Sequence, residues 1–249
     1  MRNSSLSYSP ALLLLTMAVA VPARAGVSDL KADWSEISNP NGAWTLLEPS
    51  GLLQHMAQIP HPISQPQPVW IGASQYLPFV MRIEPVNVGY LPDWVAGDIH
   101  VHPDNAGTPV TLRWTSSVDA IADISGSVFY ATETLGRAQH WGVSVNGNMV
   151  TVGYVYEGDA WDRTNPMSLS DGSAGGAGLH NLAVGVGDTI DLVIWKAPAS
   201  PYGGNVGVEF TITTVAVPEA RTYATTFTLG LLVFAGMRRL CTESTSRPG

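Results

Sequence analysis

The chain predicts an all-β fold over residues 26–216, an antiparallel β-sandwich of jelly-roll type. Three observations carry this. Short segments alternate apolar and polar residues with a period of two, which gives a strand one dry face and one wet face. Turn-forming Asn, Asp, Gly and Pro separate those segments. No window of ten or more residues in this stretch shows the apolar period of an amphipathic helix.

The elements follow in order. Residues 33–38 and the stretch from Trp44 read as two strands joined by the turn Asn39-Pro40-Asn41-Gly42. Pro49, Pro60, Pro62, Pro66 and Pro68 then exclude a long helix or a central strand, so residues 49–68 are expected as an extended surface loop. Residues 68–72 and 79–83 are strand candidates, followed by a turn at Pro92-Asp93. Residues 98–102, 110–114 and 124–130 alternate; in the second of these, Val110, Leu112 and Trp114 share one face. Residues 140–146 and 149–156 flank Asn146-Gly147-Asn148. Asn-Gly accepts the positive φ of a type I′ turn, so this is a hairpin. Residues 170–178 are rich in glycine and are expected to form a mobile loop. Residues 179–184, 188–195 and 206–215 complete about ten strands, with Val208, Phe210 and Ile212 alternating against Glu209, Thr211 and Thr213.

Charge and cysteine narrow the setting. Residues 26–216 hold six Lys and Arg against eighteen Asp and Glu, a formal charge of −12 where the whole chain carries −8. That sign disfavours nucleic acid and anionic lipid as partners and could attract divalent cations. The one cysteine is Cys241, so residues 26–216 can form no disulfide and depend on packing.

Both ends read as export segments. Arg2, the apolar run 11–21 and the Ala23-Arg24-Ala25 exit have the parts of a secretory signal peptide spanning residues 1–25, with cleavage expected after Ala25. No cysteine lies near that site and no twin arginine precedes it, so the general secretory route is expected. At the other end stand Val217, Pro218, Glu219 and Ala220, then an uncharged apolar run over residues 223–237, then Arg238 and Arg239. As a helix the run would be about 22 Å long at ~1.5 Å per residue, short against a hydrocarbon core of ~30 Å. Snorkelling by the two arginines would cover part of the difference. Their position also puts residues 240–249 in the cytoplasm and the domain outside, held in the inner membrane through residues 223–237.

Residues 217–239 resemble a PEP-CTERM sorting signal, with its Pro-Glu break, short apolar helix and Arg-Arg stop in the right order. The resemblance implies an exosortase, a membrane-embedded cysteine enzyme, as the processing partner, acting near Pro218-Glu219. Ala220 departs from that family's second proline, and ten residues follow the arginines where the family usually ends. Asn39-Pro40-Asn41-Gly42-Ala43-Trp44, His102-Pro103, Arg113-Trp114-Thr115 and Gly187-Asp188-Thr189-Ile190-Asp191 are similar to jelly-roll domains of exported proteins carrying such tails, whose architecture is that of carbohydrate-binding modules.

Candidate chemistry is sparse. His100 and His102 sit two apart on one strand and so share a face. Two imidazoles could bind a transition metal, although the simpler expectation is a solvated pair. The metal-binding cupin jelly rolls would require a glutamate shortly beyond, and residues 104–107 are Asp-Asn-Ala-Gly, leaving Asp104 as the substitute. Asp159, Asp162, Asp171, Asp188 and Asp191 lie in or beside glycine-rich loops that could supply a structural calcium; no EF-hand spacing is present. Trp94, Trp161 and Tyr202, with Trp34, fall near turns, where exposed rings could stack on sugars or could instead close the ends of the core. Neither Gly-x-Ser-x-Gly nor His-Glu-x-x-His nor a phosphate loop occurs, and Glu133 and Glu157 have no assignable partner. No catalytic residue or cofactor is therefore assigned. The expectation is a non-enzymatic exported protein of the cell surface or extracellular matrix, associated with exopolysaccharide. The alternatives are a carbohydrate-binding module, with or without calcium, and a metal-dependent jelly-roll enzyme.

Overall fold

Alternation does set the strands. Val110, Leu112 and Trp114 are buried while Thr111, Arg113 and Thr115 between them are not, and β-branched and aromatic residues fill both positions. The computed structural model describes residues 25–57, 67–73, 77–85, 93–131 and 136–217. These lie within one compact unit, Arg24–Val217. In chain order its strands are β1 (Ala25–Asp29), β2 (Trp44–Glu48), β3 (Gly51–Leu52), β4 (Gln54–Met56), β5 (Val69–Ile71), β6 (Phe79–Arg82), β7 (Ile99–His102) and β8 (Val110–Thr115). They continue with β9 (Ala120–Tyr130), β10 (Ala138–Val145), β11 (Asn148–Tyr156), β12 (Met167–Ser168), β13 (Leu182–Val184), β14 (Thr189–Lys196) and β15 (Val206–Ala216).

The strands form two sheets, and every strand pairing in them is antiparallel. The larger runs β12-β9-β15-β7-β6-β5-β4, with β1 joined to β15 and β13 to β9; the smaller runs β11-β10-β14-β8-β2-β3. Between them lies a core in which Ile99, Val101, Val128, Val206, Val208 and Phe210 of the larger sheet meet Leu112, Trp114, Trp141, Val143, Ile190 and Leu192 of the smaller. Trp44 and Phe210 touch across it with ring centroids 5.5 Å apart. Burying each large apolar side chain contributes about 1.5–3 kcal/mol, so this layer carries most of the stability. A second apolar cluster of Val69, Ile71, Phe79, Met81, Trp94 and Phe129 covers part of the outer face of the larger sheet.

The hairpin forms as expected: Asn146 (φ 51°) and Gly147 (φ 78°) both take the left-handed conformation that a type I′ turn demands. The ladder slips by one residue between Val143 and Ser144, a β-bulge that resets which residues of β11 face outward.

Three expectations change, the first being that residues 49–68 are all loop: Gly51–Leu52 and Gln54–Met56 pair there as the edge strands β3 and β4. Residues 33–38 are not a strand. Asp33 N–H donates to the Asp29 carbonyl, Ala32 N–H to the Asp29 carboxylate, and Ile37 and Ser38 N–H to Ser35 Oγ, so local side-chain acceptors hold a turn instead. The neighbouring Asn39 uses its side chain as a strand would. Its amide donates to the carbonyls of Leu46 and Leu53 and accepts from Leu46 N–H, at 2.8–2.9 Å. Finally, the glycine-rich segment is packed rather than loose. It forms two 3-10 turns, Leu169–Asp171 and Gly176–Leu179, that bury Leu169 and Leu179. Ser173 N–H donates to Val152 O at 2.7 Å, covering part of the exposed edge of β11. Among the described residues no helix is long and apolar enough to cross a membrane. Ala23, Pro218, Glu219, Arg238, Arg239 and the run 223–237 lie outside the described residues, as does Glu133.

Candidate functional site

His100 and His102 do project from one face of β7, the outer face of the larger sheet, opposite Met81 and Phe79 of β6. They are not solvated. His100 is fully buried, its ring edge-on to Trp94 at 5.0 Å and to Phe129 at 6.0 Å. Burial pulls the His100 pKa down to about 4, against the opposing pull of the Asp98 carboxylate. His102, also buried, lies against Phe79, with Nδ1 at the Pro103 carbonyl and Nε2 3.5 Å from Arg137 Nη1. Asp104 accepts from Thr108 N–H at 2.6 Å. The described residues contain no group of three or more His, Cys, Asp or Glu placed to hold a metal.

Next to this pair Asp98 receives two cations, Lys31 Nζ at 2.8 Å and Arg163 Nε at 2.6 Å. Burial alone would raise the Asp98 carboxyl; the hydrogen bonds from Arg163 and Lys31 outweigh it and hold the group below its ordinary value. The cleft beside this triad, with Ser127 and Glu209 on its wall, has a volume of about 80 Å³. Small-molecule sites run from ~300 Å³ upward. Ser127 Oγ donates to Glu209 at 3.2 Å, so the polar groups here engage one another and pin residue 31 and residue 163 to β7.

Three of the loop aspartates accept hydrogen bonds from backbone nearby. Asp159 accepts from Tyr156 and Trp161 N–H, Asp162 from Thr164 and Asn165 N–H, and Asp188 from Gly185 N–H. The contacts of Asp159 with Trp161 and of Asp162 with Thr164, two residues on, are Asx turns. Glu157 accepts from Gly136 N–H.

The three rings expected to stack on sugar are not gathered. Trp94 is only 5 % exposed, so the expectation of an open ring fails: it seals the second apolar cluster against His100. Trp161, and with it Trp34, packs partly buried against the core, as a residue closing its end would. Tyr202 is 52 % exposed, with the Arg137 guanidinium 5.6 Å from its ring centroid.

Aromatic surface lies elsewhere, on the outer face of the smaller sheet. In β11 the buried Val155 forces Tyr154 and Tyr156 outward, where they are 41 % and 44 % exposed. Register sets Trp195 of β14, His140 of β10 and Tyr154 of β11 side by side across three strands. His140 stacks near-parallel to Trp195 at 5.5 Å and meets Tyr154 at 4.9 Å; Tyr156 continues the row 5.5 Å beyond Tyr154. Behind the row, Gly142 leaves a hollow that Met149 and Trp195 lean over: a Cβ there would sit 2.6 Å from Met149 Sδ and 3.3 Å from the indole. Further along, Arg113 and Asp191 form a two-bonded ion pair, both contacts 2.8 Å, and Asp191 raises the Arg113 pKa further. Sequence reasoning passed over this face because it took strand aromatics for core. The alternation Tyr154-Val155-Tyr156 was the available signal.

The fold and this face together define a β-sandwich with an open aromatic row on one sheet. No family model matches the chain, and no curated protein does. Among solved structures it is similar to the Stig cyclase Fisc from Fischerella sp. TAU, in complex with (3Z)-3-(1-methyl-2-pyrrolidinylidene)-3H-indole. The identity is 8 %, the cover 81 % of this chain and 94 % of that one, and the TM-score 0.33, a likeness that carries no argument about either protein's activity.

Proposed function

We propose that this is an exported, non-enzymatic protein of the cell surface or extracellular matrix whose sandwich holds polysaccharide on the aromatic row of its smaller sheet. The observation that carries the reading is the row Trp195–His140–Tyr154–Tyr156, in ring contact, with the two tyrosines exposed and Trp195 and His140 half-buried beside them. Folded proteins rarely leave contiguous apolar surface bare without a partner for it. Tyr and Trp combine flat apolar area with a polar handle, which suits the apolar face and hydroxyl rim of a pyranose. Export rests on the signal segment 1–25 and the sorting-like segment 217–239, with an exosortase as the proposed processing partner.

The test is co-sedimentation of the protein, recovered from cells expressing the full chain, with a panel of polysaccharides, alongside mass spectrometry of both termini. Binding to at least one glycan and an N-terminus at Gly26 are expected. A chain that retains Met1 in the cytoplasm and binds no glycan defeats the proposal.

A further inference from the structure

The outer face of the smaller sheet carries almost no free charge. By register and burial, its outward positions on β2, β8 and β14 are threonines and aliphatic or aromatic residues apart from Arg113 and Asp191. Those on β10 and β11, His140, Tyr154 and Tyr156 among them, include no Lys, Arg, Asp or Glu. Arg113 and Asp191 are the only Lys, Arg, Asp or Glu among these, and each neutralises the other through two hydrogen bonds. The neighbouring Lys196 is committed as well, donating to the Ser200 carbonyl at 2.8 Å. Around this face the body carries a formal charge of −12 over residues 26–216, which repels polyanions at long range.

We infer that the ligand of this face is an uncharged polysaccharide, lying across the strands along Trp195, His140 and Tyr154, with Tyr156 beside Tyr154 on β11. This rests on the polysaccharide-binding reading above and narrows it to one chemical class. A uronate or sulfate polymer would need an uncommitted guanidinium or ammonium, and a polyamine glycan an uncommitted carboxylate. The described residues of the face offer neither. Ring spacings of 4.9 and 5.5 Å follow the strand spacing, so a flat uncharged chain meets one ring after another.

The experiment is affinity electrophoresis of the full-chain product at mildly acidic pH, above its isoelectric point of about 5.1, where the protein is still an anion and chitosan a soluble cation. The probes are uncharged (mixed-linkage β-glucan, galactomannan), acidic (alginate, dextran sulfate) and basic (chitosan). An uncharged glycan is expected to retard the protein, with retardation unchanged at about 1 M salt, where the Debye length is ~3 Å. Trp195→Ala and Tyr154→Ala, each with its thermal unfolding measured, are expected to weaken retardation about tenfold or more. Tyr154 is exposed and Trp195 half-buried, and the two positions are used so that misfolding of one variant leaves the other decisive. Retardation chiefly by alginate, dextran sulfate or chitosan, lost with salt, overturns the uncharged class while leaving polysaccharide binding standing. Unaltered retardation in both folded variants overturns the assigned face. Retardation by no probe overturns this inference and the reading beneath it together.

Discussion

His100-Val101-His102 and Tyr154-Val155-Tyr156 are the same pattern on opposite sheets. In each, the central valine is fully buried between the sheets and the flanking side chains point outward. On the larger sheet that outward face is covered: Trp94 and Phe129 close over His100, and Phe79 lies against His102. On the smaller sheet nothing among the described residues covers the tyrosines, which remain over two-fifths exposed. Polar imidazoles thus became packing and aromatic rings became surface. Period-two alternation reports which side chains leave the inner core; it does not report whether a second layer waits outside.

That contrast can be broken at several points. The largest effect is expected from Phe129→Ala. It removes the ring that covers His100 and should cost about 3–5 kcal/mol in chemical denaturation, with glycan binding intact in the folded fraction. Next is acid. His100, buried with a pKa of about 4 against an ordinary 6.5, is neutral in both states at higher pH. Between those two values only the unfolded chain takes up the proton, so stability should fall with pH by roughly 3 kcal/mol and level off below the lower one. His100→Leu should flatten that part of the urea-midpoint profile; an unchanged slope would count against the assignment. Asp98, held below its ordinary pKa, contributes stability present above that ordinary value and lost as pH falls through its folded pKa, so its loss extends further into acid.

On the open face the effects should separate differently. Trp195→Ala is expected to weaken glycan binding about tenfold, ~1.4 kcal/mol, while lowering stability by less than about 1 kcal/mol, the scale of a cross-strand pair. Equal losses in both would make the row a brace for the sheet. The smallest change is expected from Gly142→Ala, whose methyl crowds Met149 and Trp195 and should tilt the row, reducing binding a few-fold in the same titration.

Much of the fold was legible because local and tertiary preferences agree. Val110, Leu112 and Trp114 alternate and face the core, and Asn146-Gly147 makes the turn its backbone tolerance allows. Residues 33–38 misled because Asp29, Asp33 and Ser35 offer side-chain acceptors that outcompete a ladder. The site was harder. A two-residue turn with unbroken pairing would set Gly153, not Tyr154, opposite His140. The bulge at Val143/Ser144 shifts the pairing by one and brings the two rings together. Nothing in the local pattern announces that slip, because the packing of Trp141 over its cross-strand partner Gly153 selects it.

The pairing of β1 with β15 has a mechanical corollary. Ala25 sits opposite Val215, and Val217 N–H is hydrogen-bonded to the Asp119 carbonyl close by. Tension drawn between residues 25 and 217 would load that seam one rung at a time, as a zipper opens, instead of shearing all its rungs at once. Pulled from residue 217 against a polymer gripped on the aromatic row, the same seam lies off the line of force.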